Sequence, residues 1–145
     1  MPSLKTLLQL PCGWQLIRQT TGHDGVIIHL QATRKTSRCP ECMRFSSSVH
    51  SCRRRRIQHL PCAGQVLSLI FAVRHWYCRN PSCSRKIFAE SLAPFAGSRQ
   101  QTSQLVQKLQ YQLELIAGGE AGQRAATAAG LRTSADCSGT LILTT

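Results

Sequence analysis

Cys39-Pro40-Glu41-Cys42 and, after thirty-five intervening residues, Cys78-Arg79-Asn80-Pro81-Ser82-Cys83 bracket the stretch that decides the fold of this chain. Each is a short turn carrying two cysteines, with Pro40 and Pro81 restricting the backbone. Zinc takes four thiolate or imidazole ligands tetrahedrally, and a two-cysteine turn presents two sulfurs from one loop. Two such turns complete a four-cysteine site with no open position, which makes the metal structural rather than catalytic. The spacer exceeds the usual ribbon spacing, but a hairpin between the turns returns the chain to its start.

Other readings of the same residues stay open at this level. Cys39 and Cys42 alone fit a redox dithiol, although that role expects a strand before and a helix after the motif, and here a basic polar segment follows. His50 and His75 are alternative ligands for one sulfur. Cys52 and Cys62 lack a partner at knuckle spacing and read best as small buried hydrophobes, while Cys12 and Cys137 are isolated.

Between and around the knuckles the pattern is that of strands. Residues 26–33 (VIIHLQAT) are apolar and β-branched behind the glycines at 22 and 25, and residues 48–58 make a polar strand through Arg53–Arg56. Leu60-Pro61-Cys62-Ala63-Gly64 reads as a turn. Residues 66–77 form the strongest strand, with Leu67, Leu69, Phe71, Val73, His75 and Tyr77 on one face and Ser68, Arg74 and Trp76 on the other.

Beyond Ala96-Gly97-Ser98 the period changes. Leu105, Val106, Leu109, Leu113 and Ile116 recur at helical spacing, Thr102 or Ser103 is available as N-cap, and Gly118-Gly119 is the stop. Residues 120–129 predict a second, alanine-rich helix with Glu120 at its positive end. Gly130 breaks it, and Ser134 can cap a third beginning at Ala135. Helix, tight turn with glycine, helix is the outline of a helix-turn-helix.

The charge narrows the partners. The 145 residues hold 18 Lys and Arg against 6 Asp and Glu, a formal net charge of +12. From Arg34 to Lys86 twelve basic residues face one acid, Glu41, so +11 of that charge sits in this stretch. Such a single-sign field calls for a polyanion, and nucleic acid, as duplex DNA, is the natural one. An anionic membrane surface is the weaker alternative, since no basic amphipathic helix or lipidation signal accompanies the charge. The candidate contacts are Arg53, Arg54, Arg55, Arg56, Arg74, Arg79, Arg85 and Lys86, with Arg124 and Arg132 in the helical region. Arginine suits the role because its planar fork grips phosphate oxygens bidentately. Such contacts position rather than specify. The third helix, with no Arg, Lys, Asn or Gln from residue 135 onward, is a poor base-reading surface, and a small helical bundle for packing is the alternative there.

Several classes fall away. Hydrophobic content of 42% excludes compositional disorder. The longest apolar stretch, residues 66–73, is far short of the ~20 residues that span a bilayer, and the N-terminus lacks the features of a signal peptide. A reducing, cytoplasmic setting follows, in which eight cysteines favour metal ligation over disulfides. No membrane partner and no small-molecule substrate is expected, nor any nucleophile–base pair of an enzyme.

The order of motifs resembles a known family. CPEC, then Val49-His50-Ser51 with the arginine run, Leu60-Pro61, a strand into CRNPSC, and Arg85-Lys86-Ile87-Phe88-Ala89-Glu90 together resemble the N-terminal region of the ISL-three family of bacterial insertion-sequence transposases. Residues 118–134 (GGEAGQRAATAAGLRTS) are similar to that family's helix-turn-helix. The resemblance implies binding to transposon-end DNA, near the bacterial nucleoid, with Cys39, Cys42, Cys78 and Cys83 as ligands of one structural zinc. Cys62 stands where that family often carries an aromatic residue. The family's catalytic acids have no counterparts among Asp24, Glu41, Glu90, Glu114, Glu120 and Asp136, so the chain reads as a fragment without catalysis.

The expectation is therefore an α+β protein. A small zinc-ribbon-like antiparallel β domain occupies residues 1–95, and a helix-turn-helix region, incomplete at its C-terminus, occupies residues 96–145. DNA binding is the leading function. The alternatives are a protein-interaction module that dimerises with itself or with full-length transposase and inhibits it, and a remnant without function.

Overall fold

Gln65–Tyr77 (β6) is the central strand, and the rest of the sheet is built on its two edges. A computed structural model describes residues 4–23, 25–129 and 131. The third helix expected from Ala135, with Ser134, Arg132, Gly130, Cys137, Asp24 and Asp136, lies outside the described residues. A single turn of helix, Leu4–Leu7 (α1), precedes strands Trp14–Gly22 (β1) and Gly25–Ala32 (β2). Two short strands follow, Ser37–Arg38 (β3) and Phe45–Ser46 (β4), then Val49–Cys62 (β5), β6 and Ile87–Ala89 (β7). Helices Gln104–Ala117 (α2) and Gly119–Ala128 (α3) close the described chain.

The main sheet runs β1-β2-β6-β5, with β7 pairing the C-terminal end of β6 and β3-β4 forming a separate ribbon. It is mixed, not purely antiparallel as the sequence suggests, because β2 lies parallel to β6, with Val26 opposite Leu67 and Leu30 opposite Phe71. Gly25 permits that approach. Its φ is +108°, and a Cβ there would stand 2.1 Å from the Val66 carbonyl oxygen.

β5 and β6 form a hairpin whose turn is Ala63-Gly64, with φ of 51° and 77°. Two central residues at positive φ match the twist of the flanking strands. The turn is thus later and tighter than the 60–64 segment expected. Leu60 and Pro61 fall inside β5, where the register slips between His59 and Cys62. A proline is tolerated there because the position is a bulge on an outer strand.

One face of the sheet is apolar. Trp14, Ile28, Leu30, Ile57, Leu67, Leu69, Phe71 and Val73 are buried beneath Leu92, Phe95 and Ala96 of the segment after β7. Trp14 and Phe95 pack edge-on against Phe71, with ring centroids 5.0 and 5.8 Å away. The opposite face carries exposed Gln15, Arg18, Gln31, Arg54 and Arg56. The period-two burial of β6 breaks at its end: His75 and Tyr77 are only partly buried, while Trp76, from the other face, is fully buried.

The helices dock on the outer edge of β5. The Gln58 N–H donates to the Gln101 carbonyl and the Ser103 N–H to that of Gln58, each at 2.8 Å. Ser103 is the N-cap of α2, its hydroxyl accepting from the Val106 N–H, and Gly118 ends the helix. Val106, Leu109 and Leu113 pack with Ala126, Leu131 and Leu60. Ile116, expected on that stripe, is 84% exposed. Gly122 sits where the helices cross: a Cβ there would lie 3.1 Å from the Glu114 Cα.

A candidate zinc centre between two knuckles

Each cysteine pair occupies the tip of a hairpin. The first joins β3 to β4, with the Cys39 N–H donating to the Arg44 carbonyl and the Met43 N–H to that of Cys39, both at 2.9 Å. The second joins β6 to β7, with the Cys78 N–H on the Lys86 carbonyl at 2.8 Å and the Cys83 N–H on that of Asn80 at 3.1 Å. The Asn80 side chain accepts from the Ser82 N–H, so the four-residue interval folds as a turn. The knuckles are tied together by the Ser46 hydroxyl, which donates to the Tyr77 carbonyl, and by the Tyr77 N–H, which donates to the Ser48 carbonyl.

The four sulfurs all lie within 4.8 Å of one another. Cys39 Sγ is 3.9 Å from Cys83 Sγ, and Cys42 Sγ is 3.6 Å from Cys78 Sγ, both spans crossing from one knuckle to the other. An ion with Zn–S bonds of about 2.3 Å places tetrahedral sulfurs about 3.8 Å apart, so the cage fits zinc. Trp76 and Phe88, fully buried, roof it. His50 and His75 take no part: His50 Nδ1 meets Ser51 Oγ and its ring packs on Tyr77, and the sulfur cluster is complete without His75.

The thiol electrostatics say why a cation belongs there. The Arg44 backbone N–H, then the Asn80 side chain, hold the Cys42 thiol down at about 6. At Cys78 the Asn80 backbone N–H works in the same direction, but burial and the neighbouring Cys42 and Cys39 push it up to about 12. At Cys83 the Arg85 backbone N–H and the Cys78 thiol pull down, but burial and the neighbouring Cys42 and Cys39 raise it. Thiolates held this close repel unless a divalent ion binds them all.

Two cysteine knuckles at adjacent hairpin tips, closing one four-sulfur site, define a zinc ribbon. Residues 35–83 match the family model described as the zinc-finger of transposase IS204/IS1001/IS1096/IS1165. This segment is thus similar to the zinc ribbon of ISL-three-type transposases, and its four cysteines form a site for one structural zinc. No curated protein and no solved structure matches the chain.

The arginines are divided by the pleat. Arg53 and Arg55 lie opposite Val73 and Phe71, on the core side of the sheet, whereas Arg54 and Arg56 lie opposite Ala72 and Ile70, on the open side. Arg55 is committed to the carbonyls of Gly97 and Gln100, and its burial lowers its pKa. Arg74 pairs with Glu90 at 2.8 Å and covers the Trp76 ring. Arg79 stacks on Tyr77 and donates to Ser48 Oγ. Arg85 reaches Glu41 at 3.4 Å, and Lys86 and Arg124 are exposed. Cys12, Cys52 and Cys62 are exposed, contrary to the expectation of buried positions for the last two. Cys52 points to the open face, and Cys62 borders the hairpin turn.

Proposed function

We propose that this chain is a non-catalytic, DNA-binding piece of an insertion-sequence transposase, acting in the bacterial cytoplasm on transposon-end DNA. The observation that carries the reading is the transposase-type zinc ribbon at residues 35–83 lying within the stretch that holds +11 of the net charge. The zinc fixes the two hairpins, and the arginines they carry meet phosphate. α2 and α3 serve as the first two helices of a helix-turn-helix, with Arg124 on the outer side of the second. The closed four-sulfur shell offers no position for a substrate, and among the described residues no three carboxylates gather to hold a catalytic metal. No helix among the described residues is long and apolar enough to cross a membrane.

The test is a titration on duplex DNA over a series of salt concentrations. Each phosphate contact contributes about 0.9 to the slope of log affinity against log salt, so a slope of several units is expected. A flat and weak response removes the reading. A second reading, assembly with itself or with full-length transposase, draws on the exposed Tyr111, Leu115 and Ile116 of α2. Light scattering after size exclusion, with and without that enzyme, separates the two.

A further inference from the structure

On the core side of the sheet, between the first knuckle and the segment at residues 89–98, lies a cleft of about 670 Å³. Arg34, Arg38, Arg53, Arg55 and Arg85 line it, as does Arg54, whose side chain points to the open side, and Glu90 is the one carboxylate among the described residues of its lining. That carboxylate is occupied by Arg74, which is not one of the six. Among the described residues the side chain of Arg53 meets no hydrogen-bond or ion-pair partner, and Arg85 reaches an acid only at Glu41, in an exposed pair. His75 lines the same cleft and holds a buried Nδ1 with no hydrogen-bond partner among the described residues. A protein rarely leaves a buried ring nitrogen unmatched, and it rarely gathers several arginines and a single carboxylate about one hollow without an anion.

We propose that this cleft is the seat of a nucleic-acid phosphodiester, so that DNA backbone enters between the zinc knuckle and the 89–98 segment rather than lying across the open face of the sheet. The inference rests on the DNA-binding reading and adds to it a location. Arg53 and Arg85 supply the forks that grip phosphate oxygens, and the His75 ring forms part of the wall beside them. Arg38 is held over the Phe45 ring at 4.6 Å and Arg34 donates to the Cys12 carbonyl, so these two shape the walls and contribute field. Arg55 braces the far wall through the Gly97 and Gln100 carbonyls. The open face carries its own arginines, Arg18 and Arg56, which provide the comparison.

The experiment uses the zinc-loaded full chain and a fluorescent duplex with 5′-hydroxyl ends, beside the same duplex with 5′-phosphate ends. Arg53→Gln with Arg85→Gln is set against Arg18→Gln with Arg56→Gln, and zinc content and thermal melting confirm that both fold. The cleft pair is expected to lose about tenfold or more in affinity and about two units of salt slope, one per phosphate contact. The open-face pair is expected to stay within about threefold, as loss of distant field alone implies. Arg53→Lys, which keeps the charge but not the fork, falls between.

Equal losses from the two pairs, or no loss from the cleft pair while the unaltered chain binds, overturn the cleft alone. Binding that demands a 5′-phosphate end overturns its assignment to a phosphodiester. No binding by the unaltered chain overturns both this inference and the DNA-binding reading. Inorganic phosphate, added at constant ionic strength, is expected to raise the melting temperature of the unaltered chain and not that of the cleft pair. An equal rise in both would place the anion elsewhere and overturn the cleft.

Discussion

The Ser103 hydroxyl, which caps α2, donates to Nδ1 of His59 at 2.8 Å, and Nε2 of the same ring donates to the Leu8 carbonyl at 2.6 Å. A carbonyl only accepts, so the proton of the neutral ring is on Nε2 and Nδ1 is bare. His59 is 2% exposed and lies against Phe95. It thereby joins three parts of the chain: the N-terminal segment, the sheet and the start of the helical region.

Burial lowers the pKa of His59 below its ordinary 6.5, so the folded state prefers the neutral ring more strongly than the unfolded state does. Above about 6.5 the ring is neutral in both states and imposes no penalty. As pH falls from 6.5 toward the depressed folded value, the unfolded chain takes up a proton first and stability is lost, by at most about 1.4 kcal/mol per pH unit. Chemical denaturation from pH 7.5 down to 5.5, with zinc loading verified at each point, is expected to show this slope. His59→Gln is expected to flatten it. A slope unchanged in that variant refutes the assignment.

Removing the metal tests the other junction. Cys39→Ser with Cys78→Ser takes one ligand from each knuckle, and metal analysis is expected to fall from about one zinc per chain to none. The two hairpin tips then keep few apolar contacts beyond Trp76 and Phe88, so near-ultraviolet circular dichroism from Trp76 is expected to collapse. Retained zinc would mean that other residues bind it.

Trp76→Ala asks whether the roof matters as well as the cage. The side chain is fully buried against Cys39, Cys83 and Phe88. Its truncation is expected to cost about 3–5 kcal/mol in the zinc-loaded chain, by cavity formation. Zinc is expected to dissociate faster to a chromophoric chelator, since water then reaches the sulfurs. Unchanged release kinetics would show that the sulfurs are shielded without it.

What the sequence discloses follows the range of the interactions. The four clustered cysteines are legible because knuckle spacing is local, and so is β6, whose apolar residues alternate from Leu67 to Val73. β1 carries no such mark, because the register shift between Leu16 and Arg18 and the polar run that follows erase its period. The parallel pairing of β2 with β6 joins residues about forty apart, and no local pattern records it. Strand alternation puts Trp76 on the face opposite Leu67, but its burial depends on the cysteine cluster that forms only when the second knuckle folds back. The split of the arginine run between two faces follows from the same alternation; the carbonyls that claim Arg55 do not.

The packing of the two helices rests on one missing side chain. At Gly122 a Cβ would stand 3.1 Å from the Glu114 Cα and 3.2 Å from the Leu113 carbonyl oxygen, both of them backbone atoms that cannot swing aside. Gly122→Ala improves helix propensity by about 1 kcal/mol yet forces α3 outward by a few tenths of an ångström, so its net effect is expected to be small. Gly122→Leu cannot be accommodated and is expected to destabilise by about 1–3 kcal/mol, the scale of overpacking. The loss should be confined to α2 and α3: amide exchange near Val106 and Ala126 is expected to accelerate, while the zinc content and exchange in β6 stay as they were. Acceleration throughout β6 would show that the helices and the sheet unfold as one unit, and the separation of the chain near residue 95 would then fail.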